Sequence, residues 1–489
     1  MLALFAQLPS VILFAAGIYA LCVIYFVVRD NRSPQSTMAW LFSMLALPVV
    51  GIFVYIFLGR SWRAFSQEKR LAKQGIGGAL SGSLAPLLSR EDAYIARLES
   101  ENPDSYKRRL LQLVQRNSNS ALTGRNHLVI LQNAAEKYPR LLEDLARAQY
   151  SIHMEYYIWT DDEFTKQVKD VLIERAQAGV EIRLLYDASG GRLGRAYIAA
   201  LRESGAQIFA YRPYKSLFKL HTINYRSHRK IAIIDGKIGY VGGLNLDQDQ
   251  LDGGRYFDSW RDTHLRIRGE AAQALQAIFV TSWYNTIQER LSGSVYFPPP
   301  DEDVNSFLPI QITTSGPDSQ WGAIRQLYFS MIAAAEEKIF VQSPFFIPDE
   351  SVSEALKAAA LSGVDVKMMF APRGTTYTVP YWAANTYFQE MAEAGVRIFL
   401  YQKGYFHPKT LNIDASVCSI GTANMDIRSF SINYEVNAVI YDAAIARELE
   451  DDFLDDMRFC TEFSLEEYKR RSALSHFRDS LCRLTSPLL

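Results

Sequence analysis

SHRKIAIIDGKIGYVGGLN (227–245) and FHPKTLNIDASVCSIGTAN (406–424) share one frame. In the first, His228, Lys230 and Asp235 follow the spacing His-x-Lys-x4-Asp, with Gly242, Gly243 and Asn245 behind them. In the second, His407, Lys409 and Asp414 repeat that spacing, and Gly421, Thr422 and Asn424 stand at identical offsets. The chain has only seven histidines, so two in one frame are poorly explained by chance. Working outward, SIHMEYYIW (151–159) answers KIFVQSPFFIP (338–348), and AGVEIRLLYD (178–187) answers SGVDVKMMFA (362–371). ESGAQIFAYRP (203–213) likewise answers EAGVRIFLYQK (393–403), each a helix closing at a glycine, Gly205 or Gly395, before a strand. Order, spacing and polarity agree throughout, and an internal repeat decides architecture before any local reading does. Strand-like runs alternate with helical ones, which is the α/β pattern. The reading is a duplicated α/β unit, its first half at 121–300 and its second at 301–489.

IAIID and TLNID read as strands, and residues two apart on a strand share a face. Each His and Lys should therefore point together toward the junction of the halves. The following glycines let the backbone approach closely, and Asn245 and Asn424 supply amide donors. Two such half-sites put two imidazoles, two ammonium groups and two amides around one cavity, a set that suits a phosphodiester. The lysines neutralise phosphate charge, and pre-placed donors meet the charge that develops in the transition state. One imidazole attacks phosphorus while the other protonates the departing oxygen. No Asp, Glu or Cys cluster with metal-ligand spacing sits nearby, so the lysines replace a metal ion, and no cofactor is expected. Asp235 and Asp414 end their strands before a turn, where a hydrogen-bonding role is as reasonable as a chemical one. A nucleophilic histidine also needs a partner on its other ring nitrogen. Asp262 follows His228 within the first half and Glu435 follows His407 within the second, both in apolar context where a lone carboxylate is costly. The expectation is that each orients the histidine of its own half. His127, His153, His221, His264 and His476 read as structural.

The amino terminus departs from this pattern. Residues 11–28 (VILFAAGIYALCVIYFVV) and 38–58 (MAWLFSMLALPVVGIFVYIFL) carry no charge, and each approaches the roughly 20 apolar residues that cross a bilayer as a helix. Residues 1–60 therefore read as a two-helix transmembrane hairpin. A secretory signal fits poorly, because no Lys or Arg precedes the first stretch and a second follows. Arg29 and Arg32 in the connecting loop are outnumbered by Arg60, Arg63, Lys69, Arg70 and Lys73, which places the long remainder in the cytoplasm. Residues 61–120 read as a polar linker with a helix near 105–118, GIGGALSGS (75–83) being flexible. At 464–489, Leu465, Tyr468, Leu474, Phe477, Leu481 and Leu484 mix with Lys469, Arg470, Arg471, Arg478 and Arg483. A basic amphipathic helix there either rests on a bilayer or packs on the core. Net charge is −1, with 52 basic against 53 acidic residues, and this gives no electrostatic footprint for nucleic acid. Four cysteines without CxxC spacing indicate neither a disulfide framework nor a zinc site.

The paired motifs, the hairpin, YRSHRKIAIIDGKIGYVGGLN, WRDTH, SPFFIPDE, AGVRIFLYQKGYFHPKT, GTANMDIRSFSINYE and the SPLL terminus together resemble the bacterial cardiolipin synthases of the phospholipase D superfamily, over nearly the whole chain. His-x-Lys-x4-Asp alone points only to a superfamily of nucleases, lipases and lipid synthases; the hairpin and GTANMDIRS narrow it. The resemblance implies two phospholipase D-like α/β units packed face to face behind a transmembrane hairpin, in a bacterial inner membrane. It implies that two phosphatidylglycerol molecules are joined into cardiolipin with release of glycerol, through a phosphatidyl-histidine. His228 would be the nucleophile. His407 would protonate the leaving glycerol and then deprotonate the hydroxyl of the second lipid. Phosphatidylglycerol and cardiolipin are the implied partners, with no nucleic acid; the oligomeric state stays open, a homodimer among the options. Pro408, between His407 and Lys409, departs from the usual pattern and lacks an amide donor. Two other functions compete. A hydrolytic phospholipase D would use water as acceptor, and a non-catalytic membrane scaffold would be expected to have lost one of the four His and Lys residues.

Overall fold

Leu122–Gln132 joins the two halves. It pairs antiparallel with Thr263–Gly269 on one side, Leu131 opposite His264, and with Phe307–Ser315 on the other, Leu122 opposite Gln311. The computed structural model describes the chain apart from residues 1, 30–33, 49, 52–54, 56–62, 102–104, 212–224, 374–377 and 487–489, and apart from the side chains of 2–13, 15, 63–81 and 105.

Among the described residues fifteen strands are linked in one hydrogen-bonded order through Leu122–Gln132. Outward through the first half run Thr263–Gly269, Ile238–Gly242, Lys230–Ile234, Ser151–Tyr156, Glu181–Asp187 and Gln207–Tyr211. Outward through the second, beyond Phe307–Ser315, run Glu435–Ile440, Val417–Gly421, Thr410–Ile413, Lys338–Ser343, Asp365–Phe370 and Arg397–Tyr401, with Cys460–Glu462 at the edge. The last three strands of each half's repeat are parallel, crossed over by the helices Glu163–Gln177, Arg195–Glu203, Glu350–Leu361 and Val379–Glu393. Gly205 and Gly395 follow two of those helices at φ +98° and +97°, a conformation that strains any residue with a Cβ.

The duplicated α/β fold is therefore present, and its halves pack face to face. Leu122–Gln132 pairs at its start with Phe307–Ser315 and from Asn126 onward with Thr263–Gly269, so it links the two sheets by hydrogen bonds. The sheets close on one core in which Ile231, Val241, Leu265 and Ile267 of the first half lie with Ile420, Val436, Ala438 and Ile440 of the second.

GIGGALSGS is a correction, since it lies within one helix, Arg63–Glu101. Each glycine costs about 1 kcal/mol relative to alanine in a helix, but the carboxy-terminal part of this helix is firmly held. Leu87 and Leu98 are buried, and Arg90 and Tyr94 bond Glu270 at 2.9 and 3.1 Å. Glu91 accepts from the Leu122 amide, tying the helix to the central strand. The helix expected near 105–118 is Ser105–Ser118, with Leu110, Leu111 and Val114 buried.

The amino-terminal unit contains the helices Leu2–Arg29 and Pro34–Ala46. Val23, Val27 and Met44 are buried together, and the Tyr19 hydroxyl donates to the Met44 carbonyl. Among the described residues no helix is long and apolar enough to cross a membrane. Residues 49, 52–54 and 56–58 of the second expected span lie outside the described residues, as do loop residue Arg32, Arg60, His221 and the last three residues of SPLL. The side chains of Arg63, Lys69, Arg70 and Lys73 lie outside them too.

Candidate active site

Main-chain hydrogen bonds stitch each motif to the opposite half. The His228 amide donates to the Tyr434 carbonyl at 3.0 Å, and the Tyr434 amide donates to the Arg226 carbonyl at 2.9 Å. The His407 amide donates to the Arg261 carbonyl at 2.8 Å, where Tyr405–Phe406 runs parallel to Trp260–Arg261. The residue after Tyr434 is Glu435, and the residue after Arg261 is Asp262. Each histidine is thereby delivered beside the other half's carboxylate. Nδ1 of His228 lies 3.0 Å from both oxygens of Glu435, and Nδ1 of His407 lies 2.7 Å from Oδ2 of Asp262. The carboxylates expected to serve their own half's histidine serve the other one. The strands that begin beside them, Thr263–Gly269 and Glu435–Ile440, face the opposite half over the shared core, so closeness in sequence within a half is not closeness in space.

Lys230 and Lys409 are buried, and each Nζ donates to the carbonyl of its own motif's histidine, at 2.7 Å for Lys230. Burial brings Lys230 down to about 7, against the pull of Glu435, and Lys409 down to about 8, against the pull of Asp262. Burial lowers His228 as well, with Glu435 opposing and Lys230 adding to the effect. His407 is brought to about 3 by burial and Lys409. Burial raises both carboxylates, but the cations outweigh it: His228 and Lys230 hold Glu435 below its ordinary range, and Lys409 and His407 do the same for Asp262. At neutral pH this favours neutral imidazoles on ionised carboxylates. That pairing makes Nδ1 the donor and leaves Nε2 with a free lone pair. The Tyr157 ring stands edge-on to His228 at 5.1 Å, and Trp260 stands likewise to His407 at 5.5 Å.

Asp235 and Asp414 are brought to neither histidine. Each lies at the far end of its strand, seven residues from the imidazole, so on the order of 20 Å of extended chain separates them. Asp235 accepts from the amides of Gln149, Tyr150 and Ser151 at 2.9, 2.7 and 2.9 Å. Asp414 accepts from those of Glu336, Glu337 and Lys338 at 3.0, 2.8 and 2.8 Å. Their grouping with the catalytic residues is corrected: both oxygens are committed to the turn before a neighbouring strand, and φ of +54° and +50° suits an aspartate in a tight turn.

The two asparagines differ. Asn245 Oδ1 accepts from the Ile158 amide at 3.1 Å, and its Nδ2 has no partner among the described residues. Asn424 Nδ2 donates to Asp426 at 3.1 Å. Two supporting residues escaped the sequence reading of roles. The Thr422 hydroxyl donates to Oε2 of Glu435 at 2.5 Å. Lys137 is fully buried and donates to the carbonyls of Leu244 and Asn245 at 2.9 and 3.3 Å. Its signal was a lysine on the face of the helix Asn133–Ala146 that also carries Ala134, Tyr138, Leu141 and Leu145. Among the described residues no group of three or more His, Cys, Asp and Glu side chains could hold a metal ion.

Two histidine-lysine half-sites, related by a repeat and brought together where the two halves pack, define a phospholipase D-type enzyme. The family described as "Cardiolipin synthase, PLD-like domain" matches residues 141–283 and 328–457, and "Phospholipase_D-nuclease N-terminal" matches 15–60. A cardiolipin synthase of Geobacillus kaustophilus is 39% identical over 473 residues, covering 96% of this chain and 92% of the relative. The major cardiolipin synthase of Bacillus subtilis is 36% identical, covering 96% and 97%. A phosphatidylserine synthase from Haemophilus influenzae shares the fold, with a TM-score of 0.56 at 12% identity, covering 79% of this chain and 98% of that one. The chain belongs to the cardiolipin synthase family of the phospholipase D superfamily. Membership makes it a phosphatidyltransferase.

Proposed function

We propose that the enzyme transfers a phosphatidyl group from one phosphatidylglycerol to another by two in-line displacements at His228. Nε2 of His228 attacks phosphorus, forming a P–N bond as the P–O bond to the headgroup glycerol breaks. His407, carrying a proton, delivers it to that oxygen and glycerol leaves. His407 then takes the proton from a terminal hydroxyl of the second phosphatidylglycerol. That oxygen attacks the phosphatidyl-histidine, the P–N bond breaks, and cardiolipin forms with the number of phosphodiesters unchanged. Lys230 and Lys409 balance the charge on phosphorus. The incoming phosphate offsets their repulsion of a protonated His407, so the acid is charged when it is needed. Asn245 and Asn424 contribute amides at the phosphate, Asn245 the freer of the two.

The observation that carries this reading is the reciprocal pairing of His228 with Glu435 and of His407 with Asp262 around two buried lysines. Incubation of the purified protein with phosphatidylglycerol in detergent micelles, followed by lipid mass spectrometry, tests it. Cardiolipin and glycerol are expected from wild type and not from His228→Ala or His407→Ala. Phosphatidic acid in place of cardiolipin would make water the acceptor and the enzyme a hydrolase. The uncharged stretches 11–28 and 38–58 support a membrane hairpin in a bacterial inner membrane, with residues 61–489 in the cytoplasm. Deleting residues 1–60 is then expected to weaken turnover on membranes more than in micelles.

A further inference from the structure

The helix Ala473–Arg483 turns its charges inward and its apolar side chains outward. Asp479 is fully buried, paired with Arg471 at 2.9 Å and Arg478 at 2.7 Å, and it accepts from Asn385 Nδ2 at 3.0 Å. Arg478 lies 4.4 Å from the Trp382 ring, Arg483 lies 4.2 Å from the Tyr387 ring, and Arg483 also pairs with Glu390. These contacts fix the helix to Val379–Glu393 through its polar face. The other face carries Leu474, Phe477, Leu481 and Leu484, exposed to 77, 66, 54 and 76%. Steps of three, four and three residues put them in one stripe. An amphipathic helix on a globular core ordinarily faces the other way, and an ordered apolar stripe held outward by half-buried arginines on a buried Asp479 marks a contact surface.

The far side of Val379–Glu393 leads toward the active site. Asn385, which holds Asp479, also lines an apolar depression with Pro344, Phe345, Tyr381, Ala384 and Phe388. The Phe345 and Tyr381 rings are 5.5 Å apart, the Tyr381 and Tyr405 hydroxyls are 3.3 Å apart, and the Tyr405 ring is 5.7 Å from His407. One helix thus separates an exposed apolar stripe from a track of packed aromatic rings, Tyr381 and Tyr405 buried, that ends at an imidazole.

We propose that Leu474, Phe477, Leu481 and Leu484 seat in the surface of the lipid bilayer, and that the Phe345–Tyr381–Tyr405 track guides the lipid substrate from that surface to His407. The inference rests on the phosphatidylglycerol reading above. Charge favours a lipid surface over a second copy of the chain. Lys469 and Arg470, with side chains exposed to 54 and 79%, precede the stripe and pair on the surface with Glu393 at 3.0 Å and Glu466 at 3.7 Å. Residues 464–489 nevertheless carry five Lys and Arg against three Asp and Glu, and a net positive flank on an apolar face complements anionic headgroups. Two copies meeting on this face would bring two net positive segments together.

The test uses the full-length chain with Leu474→Ser, Phe477→Ser and Leu481→Ser combined, assayed in phosphatidylglycerol bilayers and in micelles of the same lipid. Turnover in micelles is expected to stay within about twofold of wild type, while turnover in bilayers falls about tenfold or more, because only the bilayer offers a surface to dock on. Equal turnover in bilayers would overturn the proposal, as would an equal loss in both. A nitroxide on Phe477→Cys, in a background with Cys22, Cys460 and Cys482 changed to serine, supplies an independent reading. Preferential contact with oxygen over a water-soluble nickel chelate in bilayers is expected. Water-like contact, or cross-linking of the label site between copies, would overturn it. No cardiolipin from wild type in micelles would strike the reaction itself, and the depth of the label would still decide the surface.

Discussion

Nδ1 of His228 lies 3.0 Å from both oxygens of Glu435, a residue 207 positions further along the chain in the other half of the repeat. His407 and Asp262 make the mirror pair at 2.7 Å. Neither half-site is complete within its own repeat.

This crossing separates two variants that a half-by-half reading would interchange. Glu435→Gln is expected to behave like His228→Ala, with phosphatidylglycerol reactions quenched in denaturing detergent at mildly alkaline pH yielding little phosphatidyl-histidine. Asp262→Asn should instead follow His407→Ala. Each loss of turnover should reach about a hundredfold, the lower end of what a positioned acid or base supplies. If Glu435→Gln instead tracked His407→Ala, the reciprocal pairing would not operate in solution.

Gly243 faces Asp262 so closely that a Cβ built on it would stand 1.9 Å from Oδ1. Gly243→Ala must push that carboxylate away from His407, and turnover is expected to fall at least about tenfold with the protein still folded. Wild-type kinetics for this variant would mean that the carboxylate has room the geometry denies it.

Asp235 and Asp414 make the opposite case. Asp235→Asn and Asp414→Asn each weaken a cluster of charge-assisted amide bonds, so a loss of about 1–3 kcal/mol in stability is expected. Thermal unfolding read by circular dichroism measures that, and turnover per folded molecule should stay within about threefold of wild type. A large loss of kcat at unchanged stability would restore these residues to the chemistry.

Proton binding at the lysines sets a pH dependence with a defined sign. Both are charged below their values of about 7 for Lys230 and about 8 for Lys409. Raising pH through that window removes first one positive charge and then the other from the phosphate site. KM for phosphatidylglycerol is therefore expected to rise between those two values, with kcat at saturation changing less, because bound phosphate favours the charged lysines. A KM that falls across the window would contradict the assignment.

The repeat was legible because its spacing is one-dimensional: His228 to Asp235 and His407 to Asp414 are read off the chain directly. Pairing between distant strands is not. Nothing in LTGRNHLVILQ announces that it will link the two sheets through Phe307–Ser315, and the crossed carboxylates follow from the way those sheets face each other over a common core. Asp235 was ambiguous for a different reason. A motif aspartate looks the same whether it faces a substrate or three backbone amides, and only the turn geometry distinguishes them. Gly77 and Gly78 looked like linker because propensity is local, whereas the helix containing them is held from Ser83 onward by contacts made far along the chain, such as Arg90 with Glu270.

Stitching each histidine to the opposite half also limits how the gene can change. A duplicated domain ordinarily leaves a spare, so that one copy is free to acquire a new role while the other keeps the old one. Here a lesion at Glu435 or Asp262 takes the Nδ1 partner from the imidazole of the copy that was not hit. The halves must inherit their compatible changes together, and an ancestor carrying a single repeat would have needed a twin chain to lend it the missing carboxylate.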